Sequence, residues 1–321
     1  ILGVGAAIAT GDPGAVSAIS LGGQSIAQRS FLAHSRVNES SADQAAMSFF
    51  EKSGLNPTGL ETFFEKLEAE NYKPENQQSE YIRTHPLTNN RIEAVKHRIA
   101  ASEYKDKPFP SKWNDQHARM KAKLIAFISP GQVPWVYDDQ DKSIYAQYAR
   151  AIAAYRNNQI DTALKNIDGL LALEPNNPYF LELKGQMLVD FSRVAQGVPY
   201  YRKAIKIMPN APLFRIALAH ALIESADNDA GLLKEAIREL ERARKEEPRA
   251  SRIYRLLATA YGKLGKHDMA KINLAEEAVL QRNFDYARQH AQAVLNNAKE
   301  GSSLAIKAHD ILVFIENTKK G

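Results

Sequence analysis

The stretch Ala163-Leu-Lys-Asn-Ile-Asp-Gly-Leu-Leu-Ala-Leu-Glu-Pro175 opens on a small residue and closes on a proline. Proline cannot extend a helix, so Leu173-Glu174-Pro175 reads as a helix end. The same ending returns at Ile207-Met208-Pro209 and at Glu246-Glu247-Pro248. Pro175 and Pro209 lie 34 residues apart (209 − 175). Ala163, Ala236 and Ala270 fall where paired helices approach closely, and Ala204 and Ala243 take a second small position ahead of their prolines.

A two-helix unit of this length is a tetratricopeptide repeat. One unit cannot bury its apolar face alone, so neighbours stack into a solenoid with a concave surface. The interval from Pro209 to Pro248 is 39 (248 − 209), which predicts extra residues in the turn Ser225-Ala-Asp-Asn-Asp-Ala-Gly231. Loop lengthening of this kind is tolerated at small entropic cost. Ser251 to Tyr261 and Ala275 to Leu295 continue the pattern, and Leu304 to Ile315 reads as a closing helix. Residues 141–321 are therefore expected to hold about four repeats and a cap. Tyr145, Tyr148, Tyr179, Phe180 and Phe214 pack between helices in this reading, with some of them lining the concavity, where aromatic side chains anchor peptides.

Upstream of the repeats the pattern changes. Asn38 is a predicted N-cap for a helix with Ala42, Ala45, Ala46, Phe49 and Phe50 at its apolar positions and Gly54 as its stop. Asn56-Pro57 starts a second helix, whose buried stripe is Leu60, Phe63, Phe64 and Leu67. Lys73 to Tyr81 reads as a polar loop. Thr88 caps a third helix with Ile92, Val95 and Ile99 inward, and a further helix runs from Asp115 to Ile128 with Met120, Leu124, Phe127 and Ile128 apolar. The whole chain is thus expected to be all-α. A boundary falls between about 105 and 140, with residues 106–140 as connecting helix and linker.

Composition narrows the function. Of 321 residues 44% are hydrophobic and 25% charged, within the globular range. The net charge of +5 is spread along the chain with no basic block, which argues against a nucleic-acid partner. The absence of cysteine excludes disulfides, thiol catalysis and cysteine-ligated zinc, and fits cytoplasm and envelope equally. Ile1 to Thr10 and Ala15 to Gly23 are apolar but far short of the ~20 residues that span a bilayer.

One stretch carries chemistry, Ser35-Arg-Val-Asn-Glu-Ser-Ser-Ala-Asp43, answered by His85-Pro86-Leu-Thr-Asn-Asn-Arg91. Glu39 and Asp43 are four apart, so on a helix both carboxylates share a face. Such a pair is either a solvated acidic helix start or a metal ligand with a partner that orients a ligating histidine. Proline disfavours helical geometry at the residue before it, so His85 sits in extended backbone at a loop-to-helix junction.

Together these residues resemble the back half of the zinc metallopeptidase domain of the BepA-like family, gluzincin-type enzymes of the bacterial envelope that carry a helical-repeat tail. The resemblance implies that residues 1–105 are the C-terminal part of the peptidase domain. It makes Glu39 the third zinc ligand, from an ExxxD helix, and Asp43 its supporting partner. It draws His85 towards the cleft, either donating to a developing oxyanion or blocking the open coordination site, and gives Arg91 a positioning role, pairing with a carboxylate or bracing the loop. It also implies zinc as cofactor, a periplasmic location, and protein substrates or an outer-membrane assembly complex recruited by the repeats. Residues 1–23 become an apolar loop that gates the cleft or touches a membrane.

The departure is plain. None of the eight histidines begins an HExxH motif, so the zinc site is incomplete within this chain and the polypeptide alone is expected to be inactive. Two other functions compete: a non-catalytic repeat adaptor carrying a peptidase remnant, and a plain cytoplasmic scaffold in which the Glu39 and His85 motifs are accidental. Convergence of Glu39, Asp43 and His85 on one place is the geometric test between the last of these and the others.

Overall fold

The structure, a computed structural model, describes residues 37–78, 85, 87–227 and 229–320. Among them every regular element is helical, so the chain is all-α. The expectations for residues 1–34, including membrane contact through residues 1–23, lie outside the described residues. The chain divides into two compact units, Ile1–Asp115 and Gln116–Gly321.

In the first unit α1 covers residues 37–53, α2 Thr58–Asn71 and α3 Asn89–Ala101. Gly54, at φ +61°, ends α1 in the left-handed region that glycine enters without strain. The Asn56 side chain accepts from the Thr58 N–H at 2.8 Å, so it caps α2 although Pro57 stands between them. Thr88 caps α3 by accepting from the Arg91 N–H, and Ile92, Val95 and Ile99 are buried as their spacing predicts. These three close on Met47, Phe64 and Leu87 to make the core of the unit.

Two expectations fail here. Asn38 lies inside α1 and does not cap it. Phe49 is 65% exposed and Phe63 is also exposed, while α1 turns Asp43 and Met47 inward. The apolar residues of α1 surround the helix, so their period does not single out one face.

The second unit contains most of α4, Ser111–Ile128, then a short helical turn α5 at Val133–Val136. Ten helices follow in antiparallel succession. The first pair is α6 (Ile144–Arg156) with α7 (Ile160–Leu173), and the second is α8 (Pro178–Asp190) with α9 (Val194–Ile207). The third pair is α10 (Pro212–Ser225) with α11 (Ala230–Glu246), and the fourth α12 (Ser251–Lys263) with α13 (His267–Leu280). The closing elements are α14 (Phe284–Leu295) and α15 (Ser303–Lys320). The prolines Pro178 and Pro212 occupy first helical positions, where their missing N–H is no loss. Asn158 and Ser192 turn each first helix into its partner with positive φ.

The longer third repeat is built differently from the expectation. The turn gains little. Instead α11 has 17 residues against 14 in α9, and α10 has 14 against 13 in α8. Extending α11 adds backbone hydrogen bonds, whereas a longer loop would add only entropy cost. Likewise α4 starts earlier than Asp115 and buries Ala122 and Ala126, leaving Met120, Leu124 and Ile128 exposed.

Small residues set how closely the pairs approach. A Cβ on Gly197 of α9 would sit 2.9 Å from the Gly185 carbonyl oxygen of α8 and 3.2 Å from Val189. One on Gly169, in the exposed face of α7, would meet nothing within 4 Å. Gly169→Ala is therefore expected to stabilise the chain by about 1 kcal/mol through helix propensity. Gly197→Ala gains the same term but overpacks the crossing by about 1–3 kcal/mol, so it should lower stability. Urea unfolding of the two variants checks the opposite signs.

Candidate functional site

The acidic pair of α1 and the start of α3 meet. Asp43 and Glu39 stand one turn apart on α1, and Arg91 reaches them from the first turn of α3. The Arg91 Nε donates to Asp43 Oδ2 at 2.7 Å and its Nη2 donates to Oδ1 at 2.9 Å, a bidentate pair. Its remaining terminal nitrogen, Nη1, lies 3.2 Å from Glu39 Oε2. The guanidinium carbon is 5.4 Å from the centre of the Phe64 ring, which backs it from the core side. Only about a tenth of either the Arg91 or the Asp43 side chain is exposed, so solvent screens this pair weakly.

His85 completes the group. Its Nδ1 is 2.6 Å from Glu39 Oε1, so the two oxygens of Glu39 are engaged from opposite sides, by an imidazole and a guanidinium. Glu39 is 16% exposed and His85 46%. The His85 ring therefore lies on the open side of the cluster and Arg91 on the closed side. All four residues singled out by the sequence, Glu39, Asp43, His85 and Arg91, come together, and His97 lies exposed on α3.

A second brace was missed. Arg98, seven residues and two turns beyond Arg91 on α3, donates to the Gln44 side-chain oxygen at 2.8 Å and to Glu51 at 2.9 and 3.0 Å. Arginines seven apart share a helix face, and Asp43 and Glu51 are eight apart on the facing helix. That double ladder was readable from spacing, but only once α1 and α3 were known to be neighbours.

Zinc enzymes hold their ion with three protein ligands and keep one position open. Here the donor set is one carboxylate with one imidazole in direct hydrogen-bond contact, and no group of three His, Asp or Glu side chains able to hold a metal occurs among the described residues. These residues alone do not make a complete zinc centre. They make a carboxylate held in a fixed orientation. Because Asp43 and Arg91 are buried together, Arg91→Ala should cost the first unit about 3–5 kcal/mol by leaving Asp43 uncompensated. Arg91→Lys should recover only part of that, since an ammonium lacks the two-pronged geometry. Hydrogen exchange in α1 and α3 reads the loss separately from the repeats.

Comparison with known proteins agrees with both halves. Residues 3–99 match the model of Peptidase family M48, and residues 148–212 match that of a tetratricopeptide repeat. The Beta-barrel assembly-enhancing protease of Escherichia coli (strain K12) is 24% identical over 283 residues, 86% of this chain and 56% of the relative. That of Yersinia pestis is 24% identical over 269 residues, 81% of this chain and 53% of the relative. The chain thus spans about half the length of the curated relatives it matches. Among solved structures, MamA of AMB-1 aligns at a TM-score of 0.44 with 22% identity, covering 52% of this chain and 98% of that one. No described helix is long and apolar enough to cross a membrane. With a peptidase match over the unit that holds Glu39 and a repeat match over the solenoid, the chain is similar to the M48 peptidases that carry tetratricopeptide repeats.

Proposed function

We propose that this chain is the helical back part of a zinc-dependent endopeptidase of the bacterial envelope, with Glu39 as a metal ligand and the repeats as the recruiting arm. The observation that carries this reading is the Glu39 carboxylate, fixed by Arg91 behind and His85 in front and set one turn from an arginine-locked Asp43. Holding a carboxylate this firmly is what a ligand of defined geometry needs, since neighbouring hydrogen bonds orient ligands and tune them. When bound, the zinc would activate water for attack on a peptide bond. The peptidase part is residues 1–105 in this reading, followed by a connecting segment at 106–140 and the repeats at 141–321.

The roles of the chain's own residues follow. Arg91 contacts both Glu39 and Asp43 and offsets the repulsion between the two carboxylates with its single charge. Asp43 positions Arg91, and through it Glu39. The contact of His85 with Glu39 Oε1 occupies one oxygen of the carboxylate that would hold the metal, which supports a covering role over an oxyanion donor. The relatives' printed name, a protease that enhances β-barrel assembly, supports protein substrates or an outer-membrane assembly machine as what the repeats recruit in the periplasm.

A second reading has an observation of its own. The solenoid from α6 to α15 has apolar cores of its own, which favours a repeat adaptor with a peptidase remnant. Expression of the chain together with the coding sequence preceding Ile1 separates the two. Bound zinc by mass spectrometry and cleavage of unfolded casein support the protease; a protein without either supports the adaptor. In the active form Glu39→Gln should abolish cleavage and bound metal while the far-ultraviolet circular dichroism stays unchanged, and retained full activity would remove Glu39 from the ligand set. His85→Ala should leave kcat unchanged or raised if the ring is a cover, whereas a loss of about 100-fold makes it an oxyanion donor.

A further inference from the structure

The repeat unit holds a cavity of about 340 Å³ between α4, α6 and the start of α8. Its walls are mainly apolar and aromatic, from Met120, Tyr148, Tyr179 and Phe180, with Arg119 and Lys123 on the α4 side and no acidic residue in the lining. Phe180 and Tyr148 are almost wholly buried and their ring centres lie 5.0 Å apart, so that wall is rigid. Tyr179 and Met120 are each half exposed and form the mouth. The Tyr148 hydroxyl is buried and has no hydrogen-bond partner. Burial pushes its pKa up, so it stays a neutral phenol able to donate. Leaving such a group unpaired is costly, and mainly apolar cavities with a few polar groups are where ligands bind.

The charges around it have a direction. Glu174 binds Arg119 through two hydrogen bonds of 2.8 and 3.0 Å and turns it along one edge. Lys123 stands one turn further along α4, its Nζ 5.8 Å from the Phe127 ring. The carboxyl of Glu182 on α8 is raised above the usual range by burial, with Lys123 drawing it partly back. We propose that this cavity is a docking pocket for a protein segment that inserts one aromatic side chain flanked by carboxylates, a carbonyl or carboxyl oxygen of that segment accepting a hydrogen bond from the Tyr148 hydroxyl and an acid facing Lys123. The volume suits one large side chain, and Lys123 matches an acidic neighbour. The site stands on the connecting helix α4 and the first repeats, apart from Glu39, and holds for protease and adaptor alike.

Fluorescence anisotropy of the full chain with a labelled Gly-Ser-Glu-Phe-Glu-Ser-Gly peptide tests it. Saturable binding with Kd below about 1 mM is expected, weakened at least about tenfold when the central Phe is Ala, when both Glu are Lys, or when the protein carries Lys123→Glu. Tyr148→Phe keeps the ring and its packing. It should weaken binding by about three- to tenfold without lowering the melting temperature, because the lost hydroxyl has no partner in the free chain. Equal binding of the Glu and Lys peptides would refute the charge assignment, and no binding by any peptide would refute the pocket. A dimer in sedimentation that Lys123→Glu dissolves would give the cavity to a second copy of the chain and overturn the proposal as well.

Discussion

A single pair of antiparallel helices has two faces to hide and one partner to hide them against, and the repeat unit is organised by that shortage. Each core of the solenoid crosses pair boundaries: Tyr148, Ile152, Ile167 and Phe180 close together from α6, α7 and α8, and Leu222, Leu240 and Leu257 from α10, α11 and α12. Stability therefore resides in the interfaces between neighbours, as in any one-dimensional array. The end elements differ for the same reason. At one end α4 buries Ala122 and Ala126 and packs Ile125 and Phe127 partly beside them, while Met120, Leu124 and Ile128 face outward. Small residues allow the helix to lie close, and the larger side chains one face over frame the cavity that includes Met120.

In the first unit the governing interaction is the Arg91 guanidinium. One cation answers two carboxylates and lies over Phe64, so α1, α2 and α3 all depend on it. The apolar core beside it is small, with Met47, Phe64, Leu87, Ile92, Val95 and Ile99 as its buried members. A core of that size leaves orientation of α1 to the polar contacts, and the ladder of Arg91 and Arg98 supplies it at two levels. Breaking a bidentate, buried pair costs more than an exposed one because the partner charge is stranded. Glu39 inherits its fixed position from this arrangement.

How much could be read from the sequence varies with the kind of signal. Prolines at 34-residue spacing marked α7 and α9 because proline has one physical consequence at a helix end. Spacing placed Glu39 and Asp43 on one face, whereas His85 and Arg91 joined them only through the resemblance to the BepA-like family. The burial of α1 was not. Its inward face contains Asp43 and Met47, and a hydrophobic pattern counts Asp43 as outward. The residue that makes the site conceals the face that carries it. The same held for α4, where alanine at the interface and leucine outside invert the usual weighting, and for α11, where Gly231, read as part of the turn, lies inside the helix.

The buried acids of the solenoid point to a division of labour between apolar and polar contacts. Glu239 on α11 and Glu277 on α13 are each less than a tenth exposed, and each is met by an arginine from the preceding helix of its own pair, Arg215 and Arg255. Arg215 also donates to the Pro209 carbonyl at 3.2 Å, tying the loop before α10 to the helix after it. Replacing such pairs with apolar residues commonly leaves stability unchanged or improves it, so net stabilisation is a weak reason for their presence. Register is a better one. Stacked helices with alanine-rich seams can slide by a turn with little apolar penalty, whereas a slid Glu239 would be buried without its cation. The arginine–glutamate pairs thus penalise misalignment within the third and fourth helix pairs, and beside the cavity by Tyr148 the Arg119–Glu174 pair ties α4 to the end of α7.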